Sequence, residues 1–271
     1  MRKKSHDNTE NRKDAARVAA ALRRVSPLLT VGCLLLAWQW ISAREFISHI
    51  LVPPPVEVYR AFIDSLADGA LVKHASVTLE EMLYGLLLGV GLGLLIGYAI
   101  AKAPLLESIL SPIIVAFQST PIVAYAPLLV IWFGSGIASK IVTTAVIVFF
   151  PTLVNTIVGV RSVSPNLRDM MRSLKAGRWQ MFRHLEAPSA LPVILAGLKT
   201  STTLAVIGAV VGEFVSQGSG LGYLVTSARN LYNTPLVVVA VLTMSAISLS
   251  LYGLVAYVEW RFLVWRRRPS L

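Results

Sequence analysis

"RHLEAPSALPVILAGLK", residues 183–199, opens with charged side chains, holds Pro188 and Pro192 four positions apart, and runs directly into an apolar stretch. Proline is tolerated near a helix start and poorly in its interior. The segment therefore reads as an elbow where the chain leaves polar surroundings and begins an apolar helix. Of the 271 residues, 55% are hydrophobic and 14% charged, and the mean hydropathy is +0.67. That is too apolar for a soluble domain and points to the membrane class, with the length of one domain. The formal net charge of +11 is not the footprint of nucleic-acid binding, because the basic residues lie outside the apolar runs in no aromatic-interleaved or zinc-like pattern. A membrane surface accounts for it better. Cys33 is the single cysteine, so there is no disulfide framework, and no Cys/His spacing suggests a metal.

About 20 residues without a charge cross roughly 30 Å of hydrocarbon. On that criterion the sequence predicts an all-α polytopic fold with six spans, at residues 25–43, 82–101, 109–133, 141–160, 192–213 and 236–258. Pro112, Pro121 and Pro127 break the third. The fifth must include Lys199, which can snorkel to the near surface. Residues 1–24 lack the apolar region and small-residue site of a signal peptide and read as a basic cytoplasmic tail; residues 261–271 form a second.

Lys and Arg orient the bundle, since short cytoplasmic loops carry their excess. The first tail has eight and the segment from Arg161 to Lys199 seven, whereas the loop from Ile41 to Glu81 carries six acidic residues, including Glu80 and Glu81, against three basic ones. That loop falls outside. Both termini and the loop 161–191 fall in the cytoplasm.

Gly85, Gly89, Gly93 and Gly97 recur every fourth residue and give one helix face a groove of small residues. Another backbone can approach closely there, either within the bundle or across a dimer or gating seam. The loop 161–191 keeps apolar residues at helical spacing (Leu167, Met170, Met171, Leu174, Phe182, Leu185) with Arg168, Arg172 and Lys175 on another face. Ala176-Gly177 gives a break between two short helices. Such a pattern fits an interfacial helix on anionic lipid as well as a helix docked on a protein.

"DMMRSLKAGRWQMFRHLEAP", residues 169–188, resembles the cytoplasmic EAA loop of ABC importer permeases. Asp169 stands at the glutamate, Met170 and Met171 at the alanines, Leu185 at the isoleucine and Pro188 at the proline. Lys175 replaces the usual glycine, with Ala176 and Gly177 directly after it. "LVPPPVEVYRAF", "TPIVAYAPLLVIWFGSG" and "AGLKTSTTLAVIGAVVGEFVSQGSGLGYL" are similar to the nitrate, sulfonate, taurine and pyrimidine-precursor subgroup, in family order from about Leu51 to Val258. The resemblance implies a type I importer permease of an inner membrane. Its partners would be a second permease subunit, two cytoplasmic ABC ATPases that use ATP and Mg, and an extracytoplasmic binding protein; the chain itself would need no cofactor. The resemblance also implies that the loop is a coupling helix docking in a cleft of the ATPase. Leu174, Trp179, Met181, Phe182 and Leu185 are then candidates for apolar contact and Asp169, Arg172, Lys175 and Arg178 for polar contact, with Gly177 and Pro188 shaping the elbow.

The chain offers no catalytic residues. "GSGIASK", residues 134–140, lacks the strand and Lys-Ser/Thr ending of a phosphate loop, and "GSGLGYL", residues 218–224, reads as an outer turn. Gln118, Thr120, Tyr125 and Thr202 are candidates for a polar translocation path, because interrupted helices in membranes are tolerated where they face protein or water. Hydroxyls bonded back to their own helix are the alternative. Glu213, at the end of the fifth span, is an intramembrane ionisable group and a functional candidate, or a helix-end hydrogen-bond partner. A stand-alone secondary transporter would need paired broken helices and intramembrane carboxylates, and only one strongly broken span and no buried carboxylate pair are expected. A membrane enzyme would need a cluster of His, Cys or acidic residues at one face, which the spacing does not provide.

Overall fold

A computed structural model describes residues 29–30, 32–42, 48, 50–216 and 218–263. The expected tail over 1–24, the start of the first span, and residues 264–271 lie outside the described residues. Those described form helices joined by short turns, with no strand among them. We number them α1 (Gly32–Ser42), α2 (Pro55–Ala67), α3 (Ala70–Lys102), α4 (Pro104–Ser119), α5 (Ala126–Phe133), α6 (Ile137–Arg161), α7 (Pro165–Ser173), α8 (Arg178–Val215), α9 (Leu221–Asn230) and α10 (Thr234–Phe262). Four of these, α3, α6, α8 and α10, are long and apolar enough to cross a membrane.

The second span is longer than its charge-free core. Gly69 takes φ +75° and turns the chain out of α2, while the Asp68 carboxylate accepts the Ala70 N–H at 2.8 Å. The helix therefore begins at Ala70, and Glu80 and Glu81, read from their charge as outer loop, are helical. The third span is two helices. Thr120 precedes Pro121 and takes the extended conformation that proline imposes on its neighbour, so α4 stops there; a 3₁₀ turn at Ile122–Ala124 leads to α5, which ends at Gly134 with φ +81°. The fifth span begins at Arg178 rather than near Pro192 and passes through a π-helical turn at Phe182–Glu186.

The bundle is built around α6. Gly85, Gly89, Gly93 and Gly97 of α3 are buried and face α6: a Cβ built on Gly89 would lie 2.5 Å from the Ala145 carbonyl oxygen, and on Gly93 and Gly97 2.8 Å from Thr152 Cβ and the Leu153 oxygen. Because the contacts ascend both helices together, α3 and α6 run parallel, and α4 with α5 carries the chain back between them. On α6's other side α8 descends: Gly212 and Gly208 approach Lys140 and Thr144, and Gly197 meets Asn155. The glycine groove is thus filled within the chain. Lys199 of α8 pairs with Glu259 of α10 and lies 5.9 Å from the Tyr252 ring centroid. At the α3 N-terminal end, Val58, Leu71, Leu221, Val239 and Ala240 make a core that ties α2, α9 and α10 to the bundle.

Candidate functional site

Two polar constellations mark opposite ends of α3. At its beginning Glu81, Lys140 and Glu213, from α3, α6 and α8, are buried to 0%, 3% and 1% exposure. Lys140 Nζ lies 3.0 Å from Glu81 Oε1 and donates to the Ser219 carbonyl at 2.6 Å. The Glu213 carboxylate accepts the Thr78 hydroxyl at 2.6 Å and the Gly222 N–H. Thr78 Oγ1 in turn accepts the Leu221 N–H at 2.7 Å, and His74 Nδ1 the Gly220 N–H at 3.1 Å. Residues 219–222 are therefore held almost entirely by side chains of the transmembrane helices. A Cβ at Gly222 would meet Glu213 Oε2 at 2.7 Å, and Gly220, at φ +119°, would drive its own into the same carboxylate. The glycines of "GSGLG" let the backbone come within reach of Glu213.

This corrects the expectation that no buried carboxylate pair exists, and it gives Glu213, in the last turn of α8, the helix-end hydrogen-bond role within a three-helix ionic cluster. The sequence held a usable signal: the four-residue register of the glycine groove, run back one step from Gly85, reaches Glu81. For Lys140, at the end of "GSGIASK", the sequence offers no comparable signal.

At the other end lies the loop 161–191. α7 closes with a Schellman motif: Lys175 N–H donates to the Arg172 carbonyl at 2.8 Å and Ala176 N–H to Met171 at 3.0 Å. Lys175 takes φ +55°, the left-handed position that favours glycine. The break thus centres on Lys175, at the place where the resembled loop has its glycine. Gly177, expected to be the turning residue, is extended and starts the next helix. The second of the two expected short helices is the first turn of α8.

The candidate contact residues divide. Leu174 and Trp179 are 71% and 68% exposed, and Asp169 and Arg172, paired at 3.2 Å, are also exposed, as are Lys175 and Arg178. Leu185 is buried, and Met181 and Phe182 are half-buried, Phe182 edge-on to Tyr98 of α3 at 5.3 Å. Arg168 Nη2 donates to the Val160 carbonyl at 2.8 Å and fastens α7 under α6. Pro188 directly follows the π segment inside the continuous helix α8, so neither it nor Pro192 marks the helix start that the sequence suggested.

The path candidates do not converge. Thr202 is fully buried, its hydroxyl bonded back to Lys199 at 2.7 Å, and the Thr120 hydroxyl bonds back to Ala116 at 3.0 Å. Gln118 is exposed and reaches the Phe150 carbonyl at 3.4 Å. Beside it, Phe117 stacks on Phe150 at 5.7 Å and tilts against Tyr125 at 6.4 Å, an aromatic platform at the α4/α5 break. Among the described residues no group of His, Cys, Asp and Glu could hold a metal.

Long apolar helices locked by small residues, an exposed amphipathic elbow at one end and an ion-pinned turn at the other define a helical membrane transport subunit. Residues 89–264 match the family described as "Binding-protein-dependent transport system inner membrane component". The chain is 40% identical over 237 residues to the riboflavin transport system permease protein RibX of Chloroflexus aurantiacus, covering 88% of each chain. It is 36% identical to a probable ABC transporter permease of Haemophilus influenzae, over 89% of this chain and 98% of that one. It is also 32% identical to the formylaminopyrimidine transport permease ThiX of Halalkalibacterium halodurans, over 90% and 97%. The chain belongs to this family of ABC importer permeases, which are inner-membrane transport subunits and not catalytic. A crystal structure of an amino acid ABC transporter with histidines shares the fold, at a TM-score of 0.59 and 18% identity over 74% of this chain and 98% of that one.

Proposed function

We propose that two copies of this chain form the translocation path of an ATP-driven importer for a flat heterocycle of the riboflavin class. An extracytoplasmic protein delivers the solute, and two cytoplasmic subunits hydrolyse Mg-ATP. The observation that carries the substrate class is the 40% identity to a riboflavin permease along 88% of both chains. The aromatic platform of Phe117, Phe150 and Tyr125 supports it, since such faces stack on planar rings. In this reading α1, α3, α4 with α5, α6, α8 and α10 make six crossings, with both termini and the elbow in the cytoplasm. That orientation rests on the positive charge around the elbow.

The elbow is then the coupling helix. Leu174 and Trp179 project beyond the bundle as apolar anchors, and Asp169, Arg172, Lys175 and Arg178 form the polar rim that fixes register in a partner groove. Phe182 and Leu185 face the permease and carry the elbow's movement inward. A stand-alone secondary transporter would use buried carboxylates to bind coupling ions; here Lys140 faces Glu81, and the Thr78 hydroxyl and the Gly222 N–H bond Glu213.

Cells that depend on external riboflavin provide the test. Expressing this chain with its ATPase and binding protein should restore uptake of labelled riboflavin, in competition with flavin analogues and not with taurine. Taurine uptake without riboflavin uptake would move the substrate to the sulfonate class.

A further inference from the structure

Glu186 is 2% exposed and closes the π-helical turn of α8. Its carboxylate accepts the Tyr98 hydroxyl at 2.9 Å and the Lys102 ammonium. Tyr98 and Lys102 lie four residues apart and so share one face of α3. Phe182, at the start of the same turn, packs edge-on against Tyr98, and the exposed Trp179 stacks on Phe182 at 5.5 Å. Contacts therefore run unbroken from the outer surface of the elbow to the last turn of α3.

A π turn interrupts the regular ladder of a long helix and is a place where it bends. Displacement of the elbow is absorbed there before it reaches the transmembrane part of α8. A buried carboxylate, by contrast, cannot leave its partners without a large penalty, so the groups bound to Glu186 move with it. Those groups belong to α3, which is locked to α6 along Gly85, Gly89, Gly93 and Gly97.

We propose that Glu186 is a positioning residue of the transport cycle: with Tyr98 and Lys102 it passes displacement of the elbow to α3, so that α3 and α6 move together as one wall of the path. This rests on the coupling reading above. The test uses the complex with its ATPase in proteoliposomes, in a Cys33→Ser background with spin labels at Leu95→Cys on α3 and Leu249→Cys on α10, both exposed positions. The wild-type complex should show a shift in the interspin distance on adding ATP and vanadate. Glu186→Leu with Lys102→Met replaces the buried carboxylate and its half-exposed ammonium partner by apolar groups of similar size, so that no uncompensated charge is left buried. It should assemble and hydrolyse ATP within about twofold of wild type while losing the shift, and the charge-swapped pair Glu186→Lys with Lys102→Glu should regain at least half of it. A full shift in the apolar double variant, or none in the wild type, overturns the proposal. A permease that binds no ATPase and transports without ATP overturns the coupling reading itself, and the proposal with it.

Discussion

Replacing Lys140 by Met puts the ionic cluster to a quantitative test. Methionine nearly matches the lysine stem in length, so packing against Gly212 is retained and only the charge goes. Glu81 and Glu213, both essentially without solvent, then have no cation facing them, and the Ser219 carbonyl loses its donor. Breaking a buried pair in this way costs about 3–5 kcal/mol. At roughly 2–4 °C per kcal/mol for a chain near this size, the detergent-solubilised protein should melt on the order of 10 °C below wild type, followed by size-exclusion fluorescence after heating. Adding Glu81→Gln to Lys140→Met removes one of the two orphaned carboxylates and should recover about half of the loss. Trypsin should also cut after Arg229 faster in the single variant, because the turn at 219–222 loses its anchor. A single variant that melts within about 2 °C of wild type would refute the reasoning and make the cluster a solvated, weakly coupled set.

Gly89→Val should destabilise by more than the 1–3 kcal/mol typical of overpacking, because the new Cβ meets backbone at 2.5 Å. Gly91→Ala on the same helix, with nothing within 4 Å, should be neutral or stabilising by up to about 1 kcal/mol; melting temperatures decide both. Lys175→Gly relieves a left-handed non-glycine residue and should stabilise the elbow by about 1 kcal/mol, read as slower chymotryptic cleavage near Trp179, whereas Lys175→Ala should give no such gain. Leu174→Asp and Trp179→Asp change exposed side chains, so they should leave the melting temperature within about 2 °C while co-purification of the ATPase falls at least fivefold. Normal recovery of the ATPase with both variants would remove the two residues from the coupling surface.

The helical class and most of the crossings were legible because 20-residue apolar runs are a strong signal, and the elbow because its prolines and charges interrupt one. Helix limits were misread where charge was taken for loop. Lys73, Glu80 and Glu81 lie inside α3, and Glu81 is tolerated only because Lys140 comes to it from 59 positions further along the chain. Pairings of that kind have no local signature. The same holds for Lys199 with Glu259 and for Glu186 with Tyr98 and Lys102. The glycine groove was visible, but its partner was not: four small residues at one spacing announce a close approach without naming the helix that makes it. Lys175 shows a local rule displaced by one demand of the chain, since the turn needs a left-handed residue two positions before the glycine to which the break was assigned.

The claim that this permease works through a separate ATPase is tested most directly by purifying it from its native membrane in mild detergent, identifying by mass spectrometry what accompanies it, and measuring uptake in proteoliposomes with and without ATP. The account predicts an ATPase subunit in about equal amount and uptake that stops without ATP. Well-folded permease that comes alone and transports without nucleotide would contradict it.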